Sequence, residues 1–118
     1  TPYFKEIFAS LKKNIDDTKN LIIIGYSFED EHINQILKET ISKRGYYSGM
    51  KIMIVDFHDS EEKRKIFTKK IHLKTCIDLI DMQECSQQGL FKTKDYPFYL
   101  FDNGVSDFFN FKLYKSES

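Results

Sequence analysis

An α/β fold is predicted by three observations. A bare aliphatic run, Leu21-Ile22-Ile23-Ile24, stops at Gly25 and gives way at once to a polar and then a helical pattern. A second apolar run, Lys51 to Phe57, follows after a helix-length interval, so that strand, crossover helix and strand fit within about forty residues, the βαβ unit of parallel sheets. At 118 residues the chain has room for one domain, taken as residues 1–118, with a modest core and no deep interdomain cleft.

Each element has its own warrant. Phe4, Ile7, Phe8, Leu11 and Ile15 follow the i, i+3, i+4, i+7 spacing of an amphipathic helix ending near Asp16, and Asp17 to Asn20 supply a polar turn. Leu21 to Ile24 are too uniformly apolar for a strand with a wet face, which predicts a strand covered on both sides and helices on both faces of the sheet. Ile33, Ile36, Leu37 and Ile41 line one side of the next helix, with Ser27 or Asp30 as its cap and Lys43 and Arg44 at its carboxyl end. Residues 45–49, glycine at either end, close it before the Lys51 to Phe57 strand. Asp59-Ser60-Glu61-Glu62 opens a further helix, with Ile66, Phe67 and Ile71 inward and Lys63, Arg64, Lys65, Lys69 and Lys70 as a solvated face. Cys76 to Met82 is expected as a third strand and Ser86 to Asp95 as loop. Aromatic residues crowd the chain from Tyr96 onward. Val105 to Leu113 fits either a helix or the second arm of a hairpin turning at Asp102-Asn103-Gly104, and the helix is favoured. Stacked in this order, the elements make a three-layer αβα, Rossmann-like parallel sheet.

Composition narrows the function. Eighteen Lys and Arg balance eighteen Asp and Glu, so no overall basic field draws in a nucleic acid. Neither a membrane-length apolar run nor a signal-peptide pattern is visible, and Cys76 and Cys85 have no metal or redox spacing. A cytoplasmic protein with reduced thiols and no membrane or nucleic-acid partner is expected. The opening Thr1-Pro2, with a helix underway by the fourth residue, is expected of a processed chain or an excised piece of a longer one.

Chemistry is expected at the carboxyl edge of the sheet, where open α/β folds bind ligands. Gly25 serves either the turn alone or the close approach of a ligand to the backbone. Ser27 either donates to a phosphate or ribose oxygen or caps the helix. Tyr26 and Phe28 flank it, one expected in the core and the other in a pocket against a base or nicotinamide ring. Glu29, Asp30 and Glu31 suit the helix dipole but repel a phosphate placed there. Asp56, ending the next strand, either accepts from ribose hydroxyls or caps the following loop. A less favoured reading gathers Asp30, His32, Asp56, His58 and Asp59 as ligands of a divalent metal, without matching an established spacing. His72 reads as structural, and no nucleophile elbow, Walker loop or Gly-x-Gly-x-x-Gly is present.

Residues 24–34, Ile-Gly-Tyr-Ser-Phe-Glu-Asp-Glu-His-Ile-Asn, resemble the Gly-Tyr-Ser-Phe-x-Asp-x-x-Ile-Asn motif of the sirtuin-like domains of bacterial proteins, many of them antiphage NAD-depleting effectors. The resemblance is specific over a dozen residues and diffuse over residues 1 to 75. It implies an NAD-binding segment in which Gly25, Tyr26, Ser27, Phe28 and Asp56 line the cofactor. Gly25 and Ser27 match the Gly-Thr-Ser of sirtuins, Tyr26 replaces the threonine, and Val55-Asp56 stands where sirtuins carry Ile-Asn. The family's Gly-Ala-Gly-x-Ser loop, catalytic histidine and nicotinamide-side asparagine lie upstream of the motif and are not in this chain. The resemblance therefore implies the carboxyl-terminal half of a sirtuin-like domain, without catalytic residues, from a parent that hydrolyses the nicotinamide–ribose bond. The alternative is a non-catalytic nucleotide-sensing or oligomerisation module, with the aromatic tail as interface of a homo-oligomer.

Overall fold

The computed structural model describes residues 20–44, 51–94 and 98–110. Strand β1 (Asn20–Ile24) is followed by helix α1 (Glu31–Arg44), β2 (Lys51–Val55), α2 (Glu61–Thr75), β3 (Met82–Glu84), β4 (Leu90–Thr93) and β5 (Phe98–Phe101). Residues 105–110 are helical. The expected helix over 4–16 and residues 17–19 of its polar turn, the closing segment at 45–49, and Tyr96 lie outside the described residues, while Asn20 opens β1.

The βαβ unit forms as its pattern predicts. β1 pairs parallel with β2, Asn20 opposite Lys51 through Ile24 opposite Val55. β5 then lies parallel on the far side of β2, from Ile52 opposite Phe98 to Val55 opposite Phe101. The strand order is β1-β2-β5-β4-β3, with β4 and β3 antiparallel, so the sheet is mixed rather than all parallel. The architecture is α/β and compatible with part of a Rossmann-like fold.

Period two in the strands sorts the side chains into two cores. On one face Ile52, Ile54, Phe98 and Leu100, with Leu21 and Ile23, meet Ile36, Leu37 and Ile41 of α1 and Phe67 and Ile71 of α2. Each such fully buried aliphatic or aromatic side chain contributes about 1.5–3 kcal/mol. On the other face Val55 and Phe101 pack with Phe108 of the 105–110 helix.

Four expectations need correction. β1 is not sealed on both faces among the described residues: Ile22 is 37 % and Ile24 41 % exposed, because β1 ends the order of described strands and both long helices pack on the opposite face. Ile66, expected inward, is 63 % exposed, since the face of α2 that meets the sheet is centred on Phe67 and Ile71. The segment expected as a strand from Cys76 to Met82 is not one over 76–81, and the third strand begins only at Met82. α2 runs through Thr75 and stops on Cys76 in the left-handed conformation (φ 64°), whose N–H donates to His72 O, and Ile77 and Leu79 then plug the core as irregular chain. The stretch from Ser86 to Asp95 is not all loop, because Leu90–Thr93 pairs antiparallel with both β3 and β5. Strands of three or four residues are too short to show a period. The helical alternative for the segment after Gly104 holds over 105–110, where Phe108 N–H donates to Gly104 O at 3.1 Å.

Candidate functional site

β1 leaves the sheet through Gly25, whose N–H still donates to Val55 O at 3.0 Å. Gly25 has φ +64°, and a Cβ built there would meet nothing within 4 Å. Glycine is therefore required by conformation and not by a neighbour, and the space over its backbone is open.

The residues that follow tie themselves into a knot of internal bonds. Asp30 Oδ1 accepts from His32 N–H (2.9 Å) and Ile33 N–H (3.1 Å), so Asp30 is the cap of α1 and Ser27 is not. Tyr26 hydroxyl lies 2.7 Å from Asn34 Oδ1, to which it donates, and accepts from Asp30 N–H at 3.2 Å. Asn34, only 4 % exposed, donates through Nδ2 to Phe28 O at 2.9 Å. Burial pushes the Tyr26 phenol above its ordinary pKa against the lowering bond to the Asp30 backbone, with the Asp30 and Glu29 charges adding, so the hydroxyl stays a proton donor.

Phe28 is held at φ +62°, a conformation that costs a non-glycine residue about 1–2 kcal/mol. Burial offsets that strain. The ring is fully buried, with its centroid 4.6 Å from that of Tyr26 and 5.7 Å, edge-on, from that of Phe67. Neither aromatic side chain faces a described cavity: Phe28 is in the core, and the partly buried Tyr26 spends its hydroxyl on the turn. Ser27 between them is exposed, and its hydroxyl has no hydrogen-bond partner among the described residues. Of the three acids expected to repel a phosphate, Asp30 is committed to the cap and Glu29 is bonded to Lys70 at 2.9 Å, which holds its carboxyl below the usual range. Glu31 stays exposed.

Asp56 follows directly on β2, so Gly25, Asp56 and Asp102 end three adjacent parallel strands. Its N–H donates to Phe101 O and its carbonyl accepts from Gly104 N–H, both at 3.0 Å. The Asp56 side chain is half-buried, and Oδ1 accepts from Phe57 N–H at 2.8 Å, leaving Oδ2 as an acceptor.

A cluster that sequence reasoning missed lies beside it. Asp102, 5 % exposed, is in short contact with His58 Nδ1, and Arg64 Nη1 stands 3.7 Å from its other oxygen. Burial lifts the Asp102 carboxyl above its ordinary pKa, against the hydrogen bond and charge of His58 and the charge of Arg64, while Asp56 adds to the rise. The His58 ring packs on Phe67 at 4.6 Å, and the Arg64 guanidinium lies 4.2 Å over Phe91. His58, Arg64, Phe91 and Asp102, with Gln88 and Asn103, border a polar hollow of about 250 Å³. A second, apolar hollow of about 430 Å³ lies toward the amino ends of the strands, among Asn20, Ile22, Lys51, Met53, Tyr99 and Phe108. Gly25, Ser27 and Asp56 line neither hollow; they sit on the open rim.

The residues considered as metal ligands do not converge. Asp30 caps α1, Asp56 holds its own turn, Asp59 pairs with Lys63 and His58 with Asp102. Among the described residues no group of three or more His, Cys, Asp or Glu is placed to hold a metal ion. A carboxylate acceptor beside an open glycine backbone and an uncommitted hydroxyl is instead a donor and acceptor set that fits a ribose and its phosphate. Among the described residues no helix is long and apolar enough to cross a membrane.

Comparison with known proteins gives one positive result. The family model for the SIR2-like domain matches residues 1–76, which takes in β1, α1, β2 and α2 and so Gly25, Ser27, Asp56, His58 and Arg64. β3, β4, β5 and the Asp102-Asn103-Gly104 turn lie beyond the match. No curated protein and no solved structure matches the chain.

Proposed function

Because the chain belongs to the SIR2-like domain family, we propose that it lines the binding site of NAD along the carboxyl edge of its sheet. The ribose hydroxyls donate to Asp56, and a phosphate is held by the Ser27 hydroxyl and the amides that follow Gly25, whose own N–H is spent on Val55 O. Tyr26 and Phe28 serve through the turn they build, not through contact of their rings with the cofactor. The carrying observation is Gly25: left-handed, open above its backbone, and beside Asp56 at the ends of two parallel strands. The α1 amides of His32 and Ile33 are already satisfied by Asp30, so the phosphate belongs on the preceding turn and not on the helix N-terminus.

No catalytic residue is assigned within this chain. The whole protein, in this reading, hydrolyses the nicotinamide–ribose bond of NAD in the cytoplasm as an antiphage effector. Calorimetric titration of the full-length protein with NAD and ADP-ribose, paired with chromatographic detection of released nicotinamide, tests both levels. Binding of both ligands with release of nicotinamide is expected from the full-length protein, and no release from residues 1–118 alone. Failure of the full-length protein to bind either ligand contradicts the proposal.

A further inference from the structure

We propose that Lys70, with Lys74 one helical turn behind it, sets the charge selectivity of the phosphate turn by offsetting Glu29, which otherwise repels a phosphate held beside Ser27. Resting on the nucleotide reading above, the two lysines add to it a control outside the motif over whether a phosphorylated ligand is accepted.

The motif carries an electrostatic conflict of its own. Glu29 stands two residues from Ser27, and two residues of chain span at most about 7 Å, so its charge lies within about one Debye length of a phosphate on the Ser27 hydroxyl. Asp30, next along, faces the positive end of α1 through its capping bonds, which moderates that carboxylate. Glu29 is offset from outside the motif.

The lysines of α2 read in the sequence as one solvated face, yet their bonds differ. Lys63 and Lys65 pair with Asp59 and Glu61, each four residues back along the chain. Lys70 reaches across to another element, where its Nζ donates to Glu29 Oε1 at 2.9 Å. That Nζ also lies 5.9 Å from the ring centre of Phe67, which packs edge-on against Phe28, so the helix that floors the turn also delivers the cation. Lys74 follows at i+4, on the same side of α2. The bond and charge of Lys70, and behind them the charge of Lys74, hold the Glu29 carboxyl low.

The pair is poorly placed to stabilise the fold. Glu29 is 66 % exposed and Lys70 32 %, and ion pairs this open contribute little to stability. An anion beside them feels much more. Loss of Lys70 leaves a full negative charge roughly 7 Å from the phosphate, which corresponds to about a 3- to 10-fold loss of affinity between the dielectric of water and half that value.

The test titrates ADP-ribose and adenosine calorimetrically into the full-length protein and its Lys70→Gln, Lys70→Arg and Lys70→Gln/Glu29→Gln variants, at about 0.05 M and about 0.5 M salt. Lys70→Gln should weaken ADP-ribose by about 3- to 10-fold at the lower salt and by less at the higher, with adenosine unmoved. Lys70→Arg should keep the affinity, and adding Glu29→Gln to Lys70→Gln should restore it. All variants should unfold at the same urea midpoint. ADP-ribose affinity unchanged by Lys70→Gln, an equal loss for adenosine, or no recovery on adding Glu29→Gln overturns the charge-offsetting role alone. ADP-ribose that does not bind the unsubstituted protein at all removes the nucleotide reading and this role with it.

Discussion

The turn over 25–34 and the strand ends at Asp56 and Asp102 sit side by side on one edge of the sheet yet are built on opposite plans. In the turn, polar side chains spend themselves on the chain: Asp30 on the helix cap, Tyr26 on Asn34, Asn34 on the Phe28 carbonyl. Gly25 and Ser27 face outward, the Ser27 hydroxyl without a partner among the described residues, and Glu31 stays exposed beyond them. At the strand ends the polar groups surround space, with Arg64, His58 and Asn103 on the walls of a hollow and Asp56 bonded through its backbone to the neighbouring strand end. A conspicuous local motif is thus mostly an instruction for folding, and the share of it proposed to meet a ligand is two residues. The groups with room for a ligand come from separate segments and form no motif.

That contrast can be broken at several points. Phe28→Ala removes a fully buried ring from the turn and should cost about 3–5 kcal/mol in urea unfolding. A loss well under that range would mean the turn is not the anchor it looks to be. Asn34→Ala strands the Phe28 carbonyl and takes one of the partners of the Tyr26 hydroxyl, and should cost about 1–3 kcal/mol, again read by urea midpoint. Gly25→Ala meets no neighbour and should cost only the left-handed conformation, about 1–2 kcal/mol, while NAD affinity falls by a larger factor than that loss accounts for.

On the other side of the comparison, Asp102 titrates above its unfolded value, so the folded chain binds that proton more tightly. Its contribution is fully present below the ordinary aspartate pKa and is lost as pH rises through the folded-state value. Asp102→Asn should therefore remove a fall in stability with rising pH just above the normal carboxylate range. Glu29 works in the opposite sense. Its pair with Lys70 lowers its pKa, so its small, exposed contribution is present above the ordinary glutamate value and fades as pH falls through the lowered one.

Legibility followed the same division. The βαβ unit, the Gly25 break and α1 were readable because each is local: four aliphatic residues, one glycine and a 3.6-residue stripe of Ile33, Ile36, Leu37 and Ile41. β3 and β4 were not, since three- and four-residue strands leave no period, and the end of α2 is set by a left-handed Cys76 that no sequence rule favours over glycine. The uniform run of β1 read as burial on both faces, whereas its alternate residues Ile22 and Ile24 stand partly exposed. Arg64 was indistinguishable from its solvated neighbours, and Asp102 and Asn103 looked like turn residues. Only the pairing of β2 with β5 brings the three together.

The division of the motif into a folding share and a ligand-facing share is tested most directly by titrating NAD into the full-length Ser27→Ala protein alongside its urea unfolding. Ser27 is exposed and bonded to nothing described, so stability should stay within about 0.5 kcal/mol of the unsubstituted protein. Affinity should drop about tenfold or more, the loss of one hydrogen bond to a charged phosphate. An unchanged NAD affinity in that variant would contradict the account.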